Sequence, residues 1–442
     1  MEYLRSVEID LLAWKENINR KPLVLMGARQ VGKTTLLKTF GQSHYKDVAY
    51  FNFEFNHELH DFFKLNKSPE RIIESLGLFR GRTIDPSCTL IIFDEVQECP
   101  EALTSLKYFQ EQVGETFHLI AAGSLLGITL GKQRSFPVGK VEFLDLYPLS
   151  FEEYLVNTDK RLHQTFVHYL NQESINKIPK AFFEPLLDLF KTYLICGGMP
   201  EPASIFAETK DISKMQKVQD EILRSYQLDF SKHTNPINAN RIQFVWNSIT
   251  SQLAKENKKF LYNTVKKGAR AREYESAITW LQQAGIIYQI YNVSNPGLPL
   301  SAYRDLSAFK MYLLDVGLLM RMSNLNPSAM LNGNSLFKEF KGSFIENYVA
   351  QSLVKSQGII PSYWTSNRSA EVDYLIEYNN AVIPIEVKSG SATRSKSLTV
   401  YHKTYDPIIR VRLSNLNFER DQSFINIPIF YSDKLTEILD KM

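Results

Sequence analysis

The first 150 residues alternate short apolar runs with amphipathic stretches. Residues 23–26, 48–53, 89–93 and 118–122 are almost continuously apolar. A strand buried on both faces reads this way, and the amphipathic stretches between supply crossover helices, so a parallel α/β sheet is predicted. Residues 151–238 follow a helical period, interrupted at Gly197-Gly198-Met199-Pro200. Residues 239–325 carry helical patterns, a strand-like run at 286–293 and a Pro/Gly turn at 295–299. That order of helix, helix, strand and wing-like turn predicts a winged-helix-like middle domain. From 335 to 442 a helix over 340–356 precedes strand-rich sequence, a second α/β region. No repeat or low-complexity tract interrupts the series.

Composition narrows the class. Of 442 residues, 44% are hydrophobic and 22% charged, an ordinary globular balance. The net charge of +3 is too small to imply a nucleic-acid partner, so any basic surface is local. Cys88, Cys99 and Cys196 form no CxxC pair, and no HExxH occurs. This argues against a disulfide framework or structural zinc and fits a reducing cytoplasm. The first fifteen residues carry charges throughout, unlike a secretory signal. The longest uncharged stretch falls short of the ~18 apolar residues a spanning helix needs. A soluble, cytoplasmic protein is expected.

Gly27-Ala28-Arg29-Gln30-Val31-Gly32-Lys33-Thr34 fits GxxxxGK[ST] between an apolar strand and a helix that also carries Thr35. Glycines let the backbone curl so that N–H groups face phosphate oxygens, and the helix N-terminus adds partial positive charge. Lys33 is expected to reach the outer phosphates of a nucleoside triphosphate, and Thr34 to ligate Mg²⁺. About 60 residues on, the apolar run Leu90-Ile91-Ile92-Phe93 ends in Asp94-Glu95. Asp94 is expected in the Mg²⁺ shell, and Glu95 to polarise the attacking water, which points to hydrolysis. The strand at 118–122 runs into Gly123-Ser124, where Ser124 is a candidate polar contact to the γ-phosphate or a simple turn serine.

Four segments together, GARQVGKTT, FDEVQECPEALTSLKYFQE, AAGSLLG and VEFLDLYPLSFEEYL, resemble the prokaryotic AAA+ ATPases that carry a C-terminal domain of unknown function (DUF4143-like). The likeness continues through Gly197-Gly198-Met199-Pro200-Glu201 and covers most of the chain. It implies an AAA+ core over 1–150 with a helical lid over 151–238, ATP with Mg²⁺ as cofactors, and Ser124 at a sensor position. The family often has Arg after the glycine that precedes the LYPLSF stretch. Here the pair is Gly139-Lys140, and a lysine cannot fork two hydrogen bonds as an arginine finger does. Arg134 is a nearby substitute. Arg29, within the loop, is alternatively structural or an interface residue.

Between Lys255 and Glu273 stand seven basic residues against two acidic ones. Lys258, Lys259, Lys266, Lys267, Arg270 and Arg272 are candidate phosphate contacts for DNA. The alternative is a protein-interaction domain with a solvated basic face.

Residues 371–378 and 381–388 are strand-like runs separated by Asn379-Asn380, a two-residue hairpin turn. Pairing Tyr378 with Ala381 places Asp373 opposite Glu386 and Glu371 opposite Lys388. One face is then Val372, Tyr374, Ile376, Tyr378, Ala381, Ile383, Ile385 and Val387; the other carries the charges. Facing carboxylates destabilise a sheet unless a cation or shared proton relieves them. Asp with Glu-x-Lys on adjoining strands resembles the metal site of PD-(D/E)xK nucleases. The resemblance implies a restriction-endonuclease-like fold over 335–442. Glu346, Asp373 and Glu386 would hold metal, with Asp373, Glu386 and Lys388 as the catalytic groups. A plain Glu371–Lys388 surface pair and a nuclease-like fold that binds without cutting are the alternatives.

Two functions follow. One is an ATPase coupled to a nuclease-like, DNA-binding C-terminal domain. The other is a nucleotide-dependent switch or scaffold, self-associating or binding a protein partner, without a catalytic C-terminus.

Overall fold

A computed structural model describes residues 3–65, 67–128, 139–232, 234–255, 258–327, 338–366, 370–389 and 395–442. The contacts divide the chain into two compact units. One is Met1–Tyr147 with Gln283–Gly285; the other is Pro148–Gln282 with Ile286–Met442.

The first unit holds a five-stranded parallel sheet in the order β2-β3-β4-β1-β5. Its strands are β1 (Leu23–Met26), β2 (Asp47–Asn52), β3 (Thr89–Asp94), β4 (His118–Ala122) and β5 (Glu142–Asp145). The crossover helices that position the site are α1 (Lys33–His44), α2 (Pro69–Phe79) and α3 (Pro100–Tyr108). β3 is buried at every position, which its unbroken apolar run requires, and Phe51, Phe93, Leu103 and Leu106 pack in one core. Four strands match the apolar runs. The fifth, β5, is missed by that signal because it is a sheet edge whose side chains alternate between half-buried and exposed.

The second unit is helical at first. α4 (Phe151–Thr158) starts at a capping box in which the Ser150 hydroxyl accepts from the Glu153 N–H and Glu153 accepts from the Ser150 N–H. α5 (Lys160–Leu170), α6 (Lys180–Cys196), α7 (Pro200–Thr209), α8 (Ile212–Lys232) and α9 (Pro236–Leu253) follow. Short α10 (Tyr262–Val265) and α11 (Ala271–Gln283) lead to the hairpin β6 (Ile287–Val293) and β7 (Arg304–Leu313). After α12 (Val316–Met322) and α13 (Lys338–Gln357) come β8 (Ser362–Thr365), β9 (Glu371–Tyr378) and β10 (Ala381–Lys388). α14 (Lys396–Tyr405), β11 (Arg410–Ser414), β12 (Glu419–Asp421) and β13 (Phe424–Pro428) complete the sheet.

That sheet has eight strands in the order β12-β13-β11-β10-β9-β8-β6-β7. β8 pairs parallel with β6 at Tyr291↔Ser362 and Asn292↔Tyr363, so the expected middle and C-terminal domains share one sheet. The physical reason lies in β6. Six of its seven residues are buried, and such a strand needs neighbours on both sides, not the single partner of a free wing. The β9–β10 hairpin has the expected register, from Ala381↔Tyr378 to Ile385↔Tyr374. Both turn asparagines are left-handed, at φ 45° and 60°, as a two-residue turn of this kind demands.

Among the described residues no helix is long and apolar enough to cross a membrane.

Candidate active site

β1 delivers the chain into the glycine loop at residues 27–34. Gly27 has φ +152°, and a Cβ there would meet the Leu146 carbonyl oxygen at 2.4 Å. Gln30 and Gly32 are left-handed, at φ 66° and 94°. Ala28 and Val31 are buried, Thr35 is exposed on the first turn of α1, and Arg29 lies 4.0 Å from Glu54. The loop is also braced from behind, because buried Arg5 donates to the Val31 carbonyl at 3.1 Å and to that of Tyr147 at 2.5 Å. No motif points to Arg5, since its partners are main-chain carbonyls.

Lys33 is buried at the start of α1, with Nζ donating to the carbonyls of Gly27 and Ala28 at 2.9 Å each. Burial pulls its ammonium down to about pKa 8; Glu95 and Asp94 oppose the shift and Arg29 adds to it. The Thr34 hydroxyl donates to Asp94 Oδ2 at 2.7 Å, so the two residues proposed from sequence as an ion shell do meet. Tyr50 on β2 donates to the same oxygen at 2.7 Å, and the Glu95 N–H to Asp94 Oδ1 at 3.1 Å. Glu95 itself is left-handed, at φ 50°, a conformation that costs a non-glycine residue free energy and recurs at functional sites. Gln97 donates to Glu95 Oε2 at 2.6 Å and Ser124 donates to it at 3.3 Å. A Cβ on Gly123 would stand 2.1 Å from Gln97 Oε1, so a side chain there would displace the Gln97 amide from its place beside Glu95. Lys140 pairs with Glu111 at 3.2 Å, and Arg134 lies outside the described residues. Tyr50 and Gln97 contact Asp94 and Glu95 but were not among the residues picked out by motif; only the sheet register, which sets Asn52 beside Asp94, brings β2 to the site.

The second cluster lies in the eight-stranded sheet. Glu346 on α13 faces Lys258, 2.5 Å from Nζ, and its other oxygen accepts from Tyr312 at 3.0 Å. Tyr374 donates to the Glu346 main-chain carbonyl. Glu371 pairs with Lys310, a residue with no solvent exposure that also lies 4.9 Å from the centre of the Tyr363 ring. Lys388 pairs with Glu386 at 2.5 Å and Glu371 with Lys310, so the alternative of a plain Glu371–Lys388 surface pair is not what forms. Glu371 reaches β7 instead, a strand absent from the hairpin reading. Asp373 accepts from the Val387 N–H at 2.7 Å, and Glu386 Oε2 is buried without a hydrogen-bond partner among the described residues.

Charge distributes unevenly over this cluster. Burial raises the Asp373 carboxyl well above its usual range and nearby Glu346 raises it further, against Lys310 and Lys258. For Glu346 the two lysines outweigh burial and hold it low. Burial alone would lower Lys310, but Glu371, Glu346 and Asp373 together raise it. Among the described residues no three His, Cys, Asp or Glu side chains gather closely enough to hold a metal ion. The expected set of Glu346, Asp373 and Glu386 is therefore not assembled as a ligand group, because Lys258 and Lys388 each hold one of its members. Lys258 is also withdrawn from the expected basic face by Glu346, and Lys259 is half-buried; Lys266, Lys267, Arg270 and Arg272 are exposed.

The Gly197-Gly198-Met199-Pro200 break is a packing joint. The buried Asp315 carboxylate accepts from the Gly198 N–H at 2.6 Å and caps α12 at the Leu318 N–H. A Cβ on Gly198 would meet the Leu149 carbonyl oxygen at 2.2 Å, and one on Gly317 the Gly197 nitrogen at 2.5 Å. Burial raises Asp315 to about pKa 6, against three backbone N–H donors.

Residues 19–155 match a family model described as AAA domain, and residues 341–430 one described as domain of unknown function (DUF4143). Between them, residues 187–329 match a model described as domain of unknown function (DUF8612). The chain thus carries an AAA-type ATPase domain and a C-terminal DUF4143 domain. No curated protein matches the sequence. Among solved structures, a Walker-type ATPase of Pyrococcus abyssi is 14% identical, with a TM-score of 0.45, over 73% of this chain and 96% of that one. The Aeropyrum pernix ORC1 protein in complex with DNA is 14% identical, with a TM-score of 0.31, over 75% and 95%. Drosophila ORC bound to DNA is 15% identical, with a TM-score of 0.30, over 73% and 95%.

Proposed function

We propose that this chain is a Mg²⁺-dependent ATPase whose hydrolytic centre is the loop at 27–34 with Asp94 and Glu95. The observation that carries the reading is the 2.7 Å contact of Thr34 with Asp94, beside a Glu95 held in left-handed backbone. The donor set fits the ion: a hydroxyl and a buried carboxylate converge on one point, as a hard oxygen-preferring cation requires. The ion, when bound, neutralises charge on the outer phosphates. Lys33 exchanges two carbonyls for phosphate oxygens, and Thr34 and Asp94 hold the ion. Glu95 orients the attacking water and takes its proton at Oε, once Gln97 and Ser124 release that oxygen. Ser124 then remains beside the γ-phosphate. Lys33→Ala removes the phosphate contact, and steady-state phosphate release is expected to fall to background; unchanged release would place hydrolysis elsewhere.

A second reading, metal-dependent nucleic-acid cleavage in the C-terminal sheet, requires Lys258 and Lys388 to release Glu346 and Glu386 to an ion; it is supported by Glu386 Oε2, buried without a hydrogen-bond partner among the described residues. Nicking of supercoiled plasmid with Mn²⁺ or Mg²⁺, abolished by Asp373→Ala, is the expected result. An intact plasmid with either metal, with and without ATP, counts against it. A nucleic-acid partner is supported by exposed Lys266, Lys267, Arg270 and Arg272.

A further inference from the structure

α9 is an 18-residue helix without a single acidic residue. Its outward stripe runs Ile237, Asn240 and Arg241, Phe244, Asn247, at the i, i+3/i+4, i+7 spacing of one helix face. Two members of this stripe are apolar and open to solvent, Ile237 at 67% and Phe244 at 45%. They are about 10 Å apart along the axis. Facing them is the turn between α10 and α11, with Lys266 and Lys267. The two sides enclose a groove of 420 Å³.

The charge of this groove is one-sided. Between residues 235 and 272 the only acid in the sequence is Glu256. Arg241, Lys266, Lys267, Arg270 and Arg272 have no ion pair among the described residues. The one carboxylate in the lining, Glu273, accepts the Arg270 backbone N–H at 3.3 Å. Unpaired cations beside a neutral amide donor are suited to a phosphodiester backbone, with Asn240 in the lining supplying N–H groups that bring no charge of their own. A duplex would satisfy those groups and leave Ile237 and Phe244 idle, because its bases are stacked away from the surface. Unstacked bases expose a π-face, which an aromatic side chain in a basic groove binds whatever the sequence.

We infer that the groove between α9 and the α10–α11 turn binds single-stranded nucleic acid, phosphates on Arg241, Lys266 and Lys267 and a base on Phe244. The inference rests on the reading of a nucleic-acid partner and deepens it by naming the strand form. It adds Arg241 and Phe244, which lie outside the basic run, and omits Lys258, which is held by Glu346.

The test is fluorescence anisotropy of the full chain with a labelled oligothymidylate and with a mixed-sequence duplex, each over a salt series. Basal phosphate release from ATP checks that each variant folds. Single strand is expected to bind more tightly than duplex, with affinity falling steeply as salt rises. Phe244→Ala is expected to weaken it roughly tenfold or more with the salt slope unchanged. The double change Lys266→Ala, Lys267→Ala is expected to lower the slope by about 1.4. Duplex binding that equals or exceeds single-strand binding and ignores Phe244→Ala overturns the inference and leaves the nucleic-acid reading standing. Absence of binding to either at low salt overturns both. Preferential binding of polyglutamate assigns the groove to an acidic protein segment and overturns both as well.

Discussion

The glycine loop and the eight-stranded sheet each hold a cluster of lysine and carboxylate, and the two are neutralised in opposite ways. At the glycine loop, Lys33 rests on two main-chain carbonyls and its acids take hydroxyl and amide donors. In the eight-stranded sheet, Glu346, Glu371 and Glu386 each have a lysine already. The pKa shifts follow. Burial lowers Lys33 to about 8, while the same burial is overruled at Lys310 by the carboxylates around it. The first cluster therefore gains when a polyanion and a cation arrive. The second is largely complete without them, apart from one buried oxygen of Glu386 and the raised Asp373.

The two lysines differ most in what their removal leaves behind. Lys310→Met leaves Glu371 without its buried partner, and a loss of roughly 3–5 kcal/mol is expected, read as a lower thermal unfolding midpoint. Lys33→Ala removes no carboxylate's partner, so its midpoint in the absence of nucleotide is expected to stay close to the wild type. Similar losses in the two variants would mean that the clusters do not differ in this way.

A pH series sharpens the same contrast. Below about pH 8 Lys33 is already protonated in the free protein. Above that, phosphate binding must take up a proton, because the bound anion favours the ammonium form. Affinity for a fluorescent ATP analogue is thus expected to fall as pH rises past about 8, by up to about tenfold per pH unit. An affinity that is flat from neutral pH into this alkaline range would contradict the burial of Lys33.

Much of the first cluster was legible in the sequence, since it rests on local features: a glycine loop after a strand, and an apolar run ending in Asp94-Glu95. The hairpin was legible too, down to its register, because a two-residue turn fixes the pairing of both strands. What escaped the sequence depends on distant pairing. Arg5 and Tyr50 act through partners that no motif ties to them. Lys310 sits on β7, a strand that the sequence did not mark within the expected middle domain. Its place beside Glu371 exists because β8 carries the hairpin onto β6, and a parallel contact of two residue pairs leaves no periodic trace. The Gly197-Gly198 break was read correctly as an interruption, but its partner Asp315 lies 117 residues from Gly198.

The most direct test of the hydrolytic centre is Glu95→Gln. Phosphate release from ATP with Mg²⁺ and binding of a fluorescent ATP analogue are measured on the same preparation. Release is expected to fall by about 10²–10⁴-fold, the usual contribution of a positioned general base, with binding within a few-fold of wild type. Release that persists at the wild-type rate while binding is intact would contradict the assignment of Glu95.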